Sequence, residues 1–88
     1  MSSYLLNVST PDGTVFEGET EKLLFRAYGG DMTVLKGHVP LMTTIRPGNI
    51  VLTLPDGTVK NGYAENGIVS VSREGVVMLS DTFRWTEQ

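Results

Sequence analysis

The chain has 88 residues, a formal net charge of −3 and no cysteine. This length allows one small domain with one core, the missing cysteines exclude disulfide bonds and cysteine-ligated zinc, and the acidic excess disfavours general binding to nucleic-acid phosphates. Apolar residues make up 40% of the chain without any run of about 18 residues, so the composition is typical of a folded globular domain and not of a membrane-spanning helix.

The first part of the chain is divided into segments of strand length by glycine and proline. Residues 4–8 alternate in the manner of a strand, and Pro11-Asp12-Gly13 has the chemistry of a tight turn, so a β-hairpin is predicted here. The segment 19–28 is ambiguous, because its apolar residues fit helical spacing as well as strand alternation. Its strand-like surroundings favour a strand.

The second part of the chain repeats this organisation. Residues 50–54 alternate, and two further turns, at 55–57 and 73–75, connect alternating runs. The pentapeptide Pro-Asp-Gly-Thr-Val occurs at both 11–15 and 55–59. We interpret it as reuse of good turn chemistry and not as internal duplication, because the flanking residues differ. Residues 83–88 have no clear period and are predicted to be a short C-terminal tail.

These segments predict about eight to ten short strands and essentially no helix. A single sheet of that size would leave one apolar face in water and two long edges unpaired. Two packed sheets, or a sheet curled shut, bury both apolar faces and hide the edges. We therefore predict an all-β fold, a β-sandwich or flattened barrel with mostly antiparallel pairing.

No residue pattern predicts catalysis or metal binding. The only histidine, His38, lacks the companions of a zinc site, and no nucleophile-elbow motif points to a Ser-His-Asp triad. Glu17, Glu19 and Glu21 fall on one face of a strand, where a solvated acidic surface is the ordinary interpretation. The aromatic residues are not interleaved with lysine and arginine, as a platform for nucleic-acid bases would require. We therefore predict an interaction module without cofactor or metal.

The segment 30–48 is the most specific part of the chain. It contains Gly37-His38-Val39-Pro40-Leu41, followed by Pro47-Gly48. This pattern resembles the epsilon subunit of F-type ATP synthases, in which a proline usually stands where this chain has Lys36. The opening hairpin and the paired strands within 66–82 are similar to the same family. The resemblance therefore extends over residues 4–82 and implies an epsilon-type domain over residues 1–82.

The resemblance implies a ten-stranded β-sandwich of two five-stranded sheets. It also implies a non-catalytic central-rotor subunit of a proton-translocating F-type ATP synthase, which couples the gamma subunit to the membrane c-ring for ATP synthesis. Such a subunit would be monomeric in isolation and peripheral on the cytoplasmic face of a bacterial plasma membrane, with an organellar energy-transducing membrane as the alternative. The residues alone leave open a free-standing β-sandwich module that binds a ligand or peptide.

The resemblance also implies a set of partner-binding residues. Asp31 matches an acidic position that faces the c-ring, although a plain turn aspartate after two glycines is the structural alternative. Thr10 matches a small hydroxyl position that faces gamma, and the loop that contains His38 matches positions near gamma and the ring. Leu41 and Met42 are expected to be either apolar anchors or core residues. The complete predicted set is Thr10, Asp31, Gly37, His38, Pro40, Leu41 and Met42.

Members of this family typically continue into a C-terminal helical hairpin that senses ATP and inhibits ATP hydrolysis. The 88 residues end before such a hairpin, so we expect them to lack its inhibitory function. Phe83 and Trp85, which would lie near that hairpin, are expected either to be exposed or to cover an edge of the sandwich.

Overall fold

The computed structural model describes residues 3–37 and 40–86, and within these ranges the chain forms ten β-strands and no helix. This confirms the all-β prediction, including a strand within the ambiguous segment 19–28. In the same ranges, nothing forms a helix that is long and apolar enough to cross a membrane. The strands are, in chain order, β1 (Tyr4–Thr10), β2 (Gly13–Thr20), β3 (Lys22–Ala27), β4 (Gly30–Leu35), β5 (Leu41–Ile45), β6 (Gly48–Thr53), β7 (Val59–Ala64), β8 (Gly67–Ser72), β9 (Gly75–Ser80) and β10 (Phe83–Trp85).

The ten strands are all connected by hydrogen bonds, but between β3 and β5 the connection narrows to one residue pair, Ala27 with Ile45. Division at this pair gives two five-stranded sheets. Sheet 1 has the strand order β2-β1-β9-β8-β5, and sheet 2 has the order β4-β3-β6-β7-β10. Among the described strands, all pairs are antiparallel except β1 with β9. The predicted sandwich of two five-stranded, mostly antiparallel sheets is confirmed.

The chain passes from sheet 1 to sheet 2 at the Pro47-Gly48 step of the specific motif. Both β5 and β6 run beside β3, and the backbone N–H of Arg46 donates to the carbonyl oxygen of Arg26 at 2.8 Å. Pro47 has no N–H with which to continue the ladder. At Gly48, a Cβ atom would lie 2.8 Å from the Cβ of Arg26, so the absence of a side chain permits this close approach. These two residues therefore form the corner of the sandwich.

The repeated pentapeptide forms two different loops. In the first copy, Thr10 pairs directly with Gly13, which leaves a two-residue turn. In the second copy, Thr53 pairs with Val59 across a longer loop. There the carboxylate of Asp56 accepts the backbone N–H of Thr58 at 2.9 Å, and this hydrogen bond lowers the pKa of Asp56. The two geometries agree with reuse of turn chemistry and give no support to duplication.

The core lies between the sheets and is built from the inward residues of alternating strands. In β3, for example, Leu23, Phe25 and Ala27 are buried. Burial of such side chains supplies most of the favourable free energy of folding. The buried apolar residues are Leu6, Val8, Leu23, Phe25, Ala27, Val34, Ile45, Ile50, Leu52, Ala64, Val69, Val71, Val76 and Met78.

Two contacts between the sheets close the sandwich. The hydroxyl of Tyr4 on β1 donates to the carbonyl oxygen of Val34 on β4 at 2.7 Å. Burial raises the pKa of Tyr4 above its ordinary value, with a smaller opposing contribution from the backbone of Leu23. Elsewhere, the ring of Trp85 on β10 packs edge-to-face on Phe16 of β2, with ring centroids 6.4 Å apart. These contacts join β1 and β2 of sheet 1 to β4 and β10 of sheet 2.

The last strand, β10, lies in the segment for which the sequence has no clear period. It pairs with β7 and places Phe83 against the core, while Trp85 remains 40% exposed. The Trp85 ring contacts Phe83 at a centroid distance of 4.9 Å and lies 5.0 Å from the ammonium of Lys60. Both expectations for these aromatic residues therefore hold in part: Phe83 packs against the core at an edge of the sandwich, and Trp85 covers that edge while its side chain stays partly exposed.

Candidate partner-binding surface

The outer face of sheet 1 exposes four apolar side chains that lie next to one another. Ile68 on β8 is directly opposite Leu79 on β9, and Ser70 lies between Met42 on β5 and Val77 on β9. The exposed fractions are 69% for Met42, 53% for Leu79, 42% for Ile68 and 41% for Val77. We call these four residues the apolar face.

Strand β9 shows why this surface is unusual. Val76 and Met78 point into the core, whereas Val77 and Leu79 point outward, so the strand is apolar on both sides. An antiparallel sheet with one face in water normally alternates apolar and polar residues. A strand that is apolar on both sides is typical of a sheet that is covered on both sides. The apolar face is therefore the best candidate for a contact surface.

The charges on sheet 1 leave the apolar face free of basic groups. Its five strands contain no lysine or arginine, and their charged residues are Glu17 and Glu19, both on β2. Strand β1 lies between β2 and the apolar face, because Asn7 pairs with both Glu17 and Val77. A partner that covers the apolar face thus has no charge to bury at its centre, which is the usual composition of an interface core.

Two of the predicted residues border this surface. Met42 belongs to it, and Thr10 lies at its margin, because the preceding residue, Ser9, pairs with Leu79. The Thr10 hydroxyl accepts the backbone N–H of Asp12 at 3.1 Å and so fixes the β1–β2 turn. Thr10 and Met42 thus lie on the same sheet, with strands β9 and β8 between their own strands.

The loop between β4 and β5 holds the remaining motif residues. Gly37 has a φ of 85° and is exposed, as is Pro40. Leu41 is half-buried and packs against the core, whereas Met42 points outward, and the role of Met42 as an apolar anchor remains a prediction. His38 lies outside the described residues.

Gly37 and Pro40 do not lie near Thr10. They line a cavity of about 600 Å³ together with the first residues of β1 and the β8–β9 turn. Thr10 is the last residue of β1, and a seven-residue strand separates its two ends by roughly 20 Å. The predicted residues therefore form separate groups along the surface and not one compact site.

Asp31 lies at the tip of the β3–β4 hairpin, where it forms an ion pair within the chain. Its Oδ1 accepts the Nε–H of Arg26 at 2.8 Å, and both side chains are more than half exposed. Close by, the guanidinium of Arg46 lies 5.5 Å from the ring centroid of Tyr28. Neither pair was predicted from the sequence. The contact of Asp31 with a c-ring remains a prediction.

Sequence reasoning also missed three members of the apolar face, Ile68, Val77 and Leu79. A signal was present in the four successive apolar residues 76–79, because strict alternation would place polar residues at two of these positions. Among the described residues, no group of three or more acidic or histidine side chains is arranged to hold a metal ion. The apolar face is therefore suited to binding a partner.

Comparison with known proteins identifies the family. The family model described as "ATP synthase, Delta/Epsilon chain, beta-sandwich domain" matches residues 3–86. The ATP synthase epsilon chain of Caldanaerobacter subterraneus subsp. tengcongensis is 31% identical over 86 residues, which are 98% of this chain and 62% of that protein. The epsilon chain of Ruminococcus albus is 32% identical over 89 residues, with coverage of 100% and 66%. The chain thus spans less than two thirds of the length of these curated relatives.

The fold agrees with solved structures of the same kind. A chain in the cryo-EM structure of the Euglena gracilis mitochondrial ATP synthase, OSCP/F1/c-ring in rotational state 1, superimposes with a TM-score of 0.89 at 18% sequence identity. The match covers 97% of this chain and 54% of that chain. The shared fold, the family match over residues 3–86 and the similarity to epsilon chains lead to one conclusion: this chain belongs to the beta-sandwich domain family of ATP synthase delta and epsilon chains.

Proposed function

We propose that this domain is part of the central rotor of an F-type ATP synthase, where it joins a gamma subunit to the c-ring. The observation that carries the proposal is the apolar face of sheet 1, which exposes four apolar side chains on a sheet without basic residues. We choose a gamma subunit as the partner that covers this face, because the members of the family are chains of ATP synthases. The free-standing ligand-binding or peptide-binding module is not favoured, since the matched relatives are epsilon chains.

Gamma would contact the apolar face and its margin. Ile68 and Leu79 form a directly opposed pair, and such pairs of large apolar side chains are suited to the desolvated centre of an interface. Thr10 and Met42 would extend the contact on either side. The loop with Gly37, His38, Pro40 and Leu41 would complete it beyond β5. In this arrangement the centre of the contact is apolar and its rim is polar, as in most stable protein interfaces.

The c-ring would contact the hairpin that carries Asp31. This carboxylate is exposed and held in place by Arg26, so it is oriented before any partner arrives. A carboxylate of this kind forms strong charge-assisted hydrogen bonds with arginine, and weaker ones with amide groups. We propose Asp31 as the contact to the polar loops of the ring.

The contribution of the domain would be mechanical and not catalytic. Hydrogen-bonded strands packed around a dense core have few soft degrees of freedom, so they can transmit torque between gamma and the ring without local unfolding. We place the domain on the cytoplasmic face of a bacterial plasma membrane, because the curated relatives reported above come from bacteria.

A binding experiment with purified gamma tests the proposal. The chain is first shown to be folded by circular dichroism and then applied to immobilised gamma, and we expect a complex with a Kd of about 1 µM or tighter. A preparation of alpha and beta subunits without gamma serves as the control and should retain none of the chain. Folded chain that fails to bind gamma at high concentration would contradict the proposal, as would ATP hydrolysis by the isolated chain.

A further inference from the structure

The tip of the β3–β4 hairpin has a second feature that the rotor role does not require. A notch of about 370 Å³ at this tip is lined by Arg26, Tyr28, Arg46 and the glycines Gly29 and Gly30, among others. Arg26 belongs to β3 and Arg46 lies in the connection between β5 and β6, and the backbone N–H of Arg46 donates to the carbonyl oxygen of Arg26. The corner at Pro47 thus brings a second guanidinium to a hairpin that already carries one.

The guanidinium groups retain donors for a ligand. Each guanidinium has five N–H donors. In Arg26, the Nε–H is donated to Asp31, and this bond orients the rest of the group. The guanidinium of Arg46 lies 5.5 Å from the centroid of the Tyr28 ring, and the Arg46 side chain makes no hydrogen bond to the described residues. A cation–π contact uses no hydrogen-bond acceptor, so it leaves the N–H groups of Arg46 available to a ligand.

The notch favours an anion. Its lining contains two basic residues and no acidic one, although the chain as a whole has a net charge of −3. Asp31 balances one of the two positive charges from outside the lining, so the hairpin tip keeps a net charge of +1. At both Gly29 and Gly30, a Cβ atom would meet nothing within 4 Å, so the notch is open to a ligand that approaches the backbone.

We propose that this notch binds a phosphate group, with Arg26 and Arg46 as its ligands. Phosphate suits this notch better than a carboxylate ligand does. The phosphate oxygens can be contacted by two guanidinium groups from different directions, and the notch is open to solvent. The exposed ring of Tyr28, which is 77% accessible, stands beside the phosphate. Asp31 acts as an internal counter-ion that positions Arg26 and limits the affinity of the site. The phosphate comes either from solution or from a phospholipid headgroup.

An NMR titration of the ¹⁵N-labelled chain tests the site with inorganic phosphate, with chloride at equal ionic strength as the reference. We expect saturable shifts of the Gly29 and Gly30 amides and of the arginine Nε–H signals, with a Kd near 1 mM. Arg46→Gln and Arg26→Gln should each weaken binding about five-fold or more. Arg73→Gln, in the β8–β9 turn, is the matched control and should leave the affinity unchanged. Asp31→Asn should tighten binding, a change that a structural role alone would not produce.

Flotation with vesicles separates the two sources of phosphate. Vesicles that contain phosphatidylglycerol are compared with vesicles of phosphatidylcholine alone. Retention on the anionic vesicles that is lost in Arg46→Gln assigns the ligand to a lipid headgroup, whereas hairpin shifts with inorganic phosphate and equal flotation on both vesicles assign it to free phosphate. The proposal is overturned if neither probe affects the hairpin, or if Arg73→Gln costs as much affinity as Arg46→Gln. Neither experiment contains gamma or a c-ring, so its failure would leave the rotor proposal standing.

Discussion

The two outer faces of the sandwich differ in the kind of side chain that they present to the surroundings. Sheet 1 exposes the apolar face, and its strands carry two acidic residues and no basic one. The strands of sheet 2 carry four basic residues and one acidic residue, Asp31. Both sheets contribute to the same core, so the difference does not arise from folding requirements.

The contrast between the two sheets indicates which outer face binds gamma. Long charged side chains such as Lys22 and Arg84 cover a sheet surface with their aliphatic stems and keep their charges in water, so they make a surface that is stable without a partner. An apolar face has no such protection and gains free energy when it is covered. We therefore assign the contact with gamma to sheet 1, and we expect sheet 2 to remain largely in solvent apart from the hairpin that carries Asp31.

The two sides of β9 should differ most clearly in how much they contribute to the free energy of unfolding. Met78→Ala should lower the free energy of unfolding by about 2–5 kcal/mol, because the side chain is fully buried. Leu79→Ala, one residue further along, should lower it by less than about 1 kcal/mol, because its side chain already contacts water. Urea unfolding followed by circular dichroism measures both. Equal losses would show that Leu79 is part of the core and not of a contact surface.

The next effect concerns binding. Ile68→Arg should reduce the affinity for gamma about 100-fold, or about 2.7 kcal/mol, because a guanidinium opposite Leu79 would be buried without a partner. Thr33→Arg places the same side chain on the exposed β4 strand of sheet 2 and is the matched control, with an expected change below about three-fold. Isothermal titration calorimetry on folded variants gives the comparison. If Thr33→Arg has the larger effect, the assignment of the two faces must be reversed.

A smaller loss of stability is expected when the hydrogen bond between Tyr4 and Val34, which joins the two sheets, is removed. Tyr4→Phe should lower the free energy of unfolding by about 1 kcal/mol, because the carbonyl of Val34 loses its hydrogen bond from the hydroxyl. Tyr28→Phe removes a hydroxyl from an exposed ring and should leave stability unchanged.

The same tyrosine predicts a dependence on pH. Because the pKa of Tyr4 is higher in the folded state than its ordinary value of about 10, the unfolded chain releases this proton first as the pH rises. The stabilisation is therefore complete below pH 10 and is lost at higher pH. Urea unfolding at pH 8 and pH 11 should show a steeper loss in the natural chain than in Tyr4→Phe, and parallel losses would contradict the role of Tyr4.

The smallest effect compares two buried hydroxyls. Among the described residues, the Thr20 hydroxyl has no hydrogen-bond partner, whereas the Ser80 hydroxyl donates to the carbonyl of Thr82 at 2.7 Å. Thr20→Val should leave the free energy of unfolding unchanged or raise it by up to about 1 kcal/mol, and Ser80→Ala should lower it by about 1 kcal/mol. A loss of stability in Thr20→Val would indicate a partner for its hydroxyl, such as a buried water molecule.

Much of the fold could be predicted because its strands follow local rules. Alternation in 4–8 and turn chemistry at 11–13 depend on neighbouring residues, and they predicted β1 and its hairpin. Strand β10 could not be predicted, because three residues are too few to show a period. The parallel pairing of β1 with β9 depends on contacts between distant parts of the chain, which no local pattern encodes.

The candidate surface was harder to predict from the sequence for the same reason, because it is formed by the pairing of distant strands. The resemblance identified Thr10 and Met42 as separate positions. Only the register of β9 between β1 and β8 shows that Leu79 lies between Ser9 and Ile68 and so connects those positions into one surface. The ion pair of Asp31 with Arg26 likewise depends on the hairpin register, which pairs these two residues across the turn.

The parallel pairing of β1 has a consequence for how the chain acquires its structure. Leu6 lies beside Val76, seventy residues further along, so β1 must wait for β9 to be synthesised before the two strands can pair. Closing so long a loop carries an entropic cost that slows folding, and until then the hydrogen-bonding edge of the first hairpin is unoccupied. We expect the nascent β1–β2 hairpin to need protection from aggregation until β9 has been synthesised.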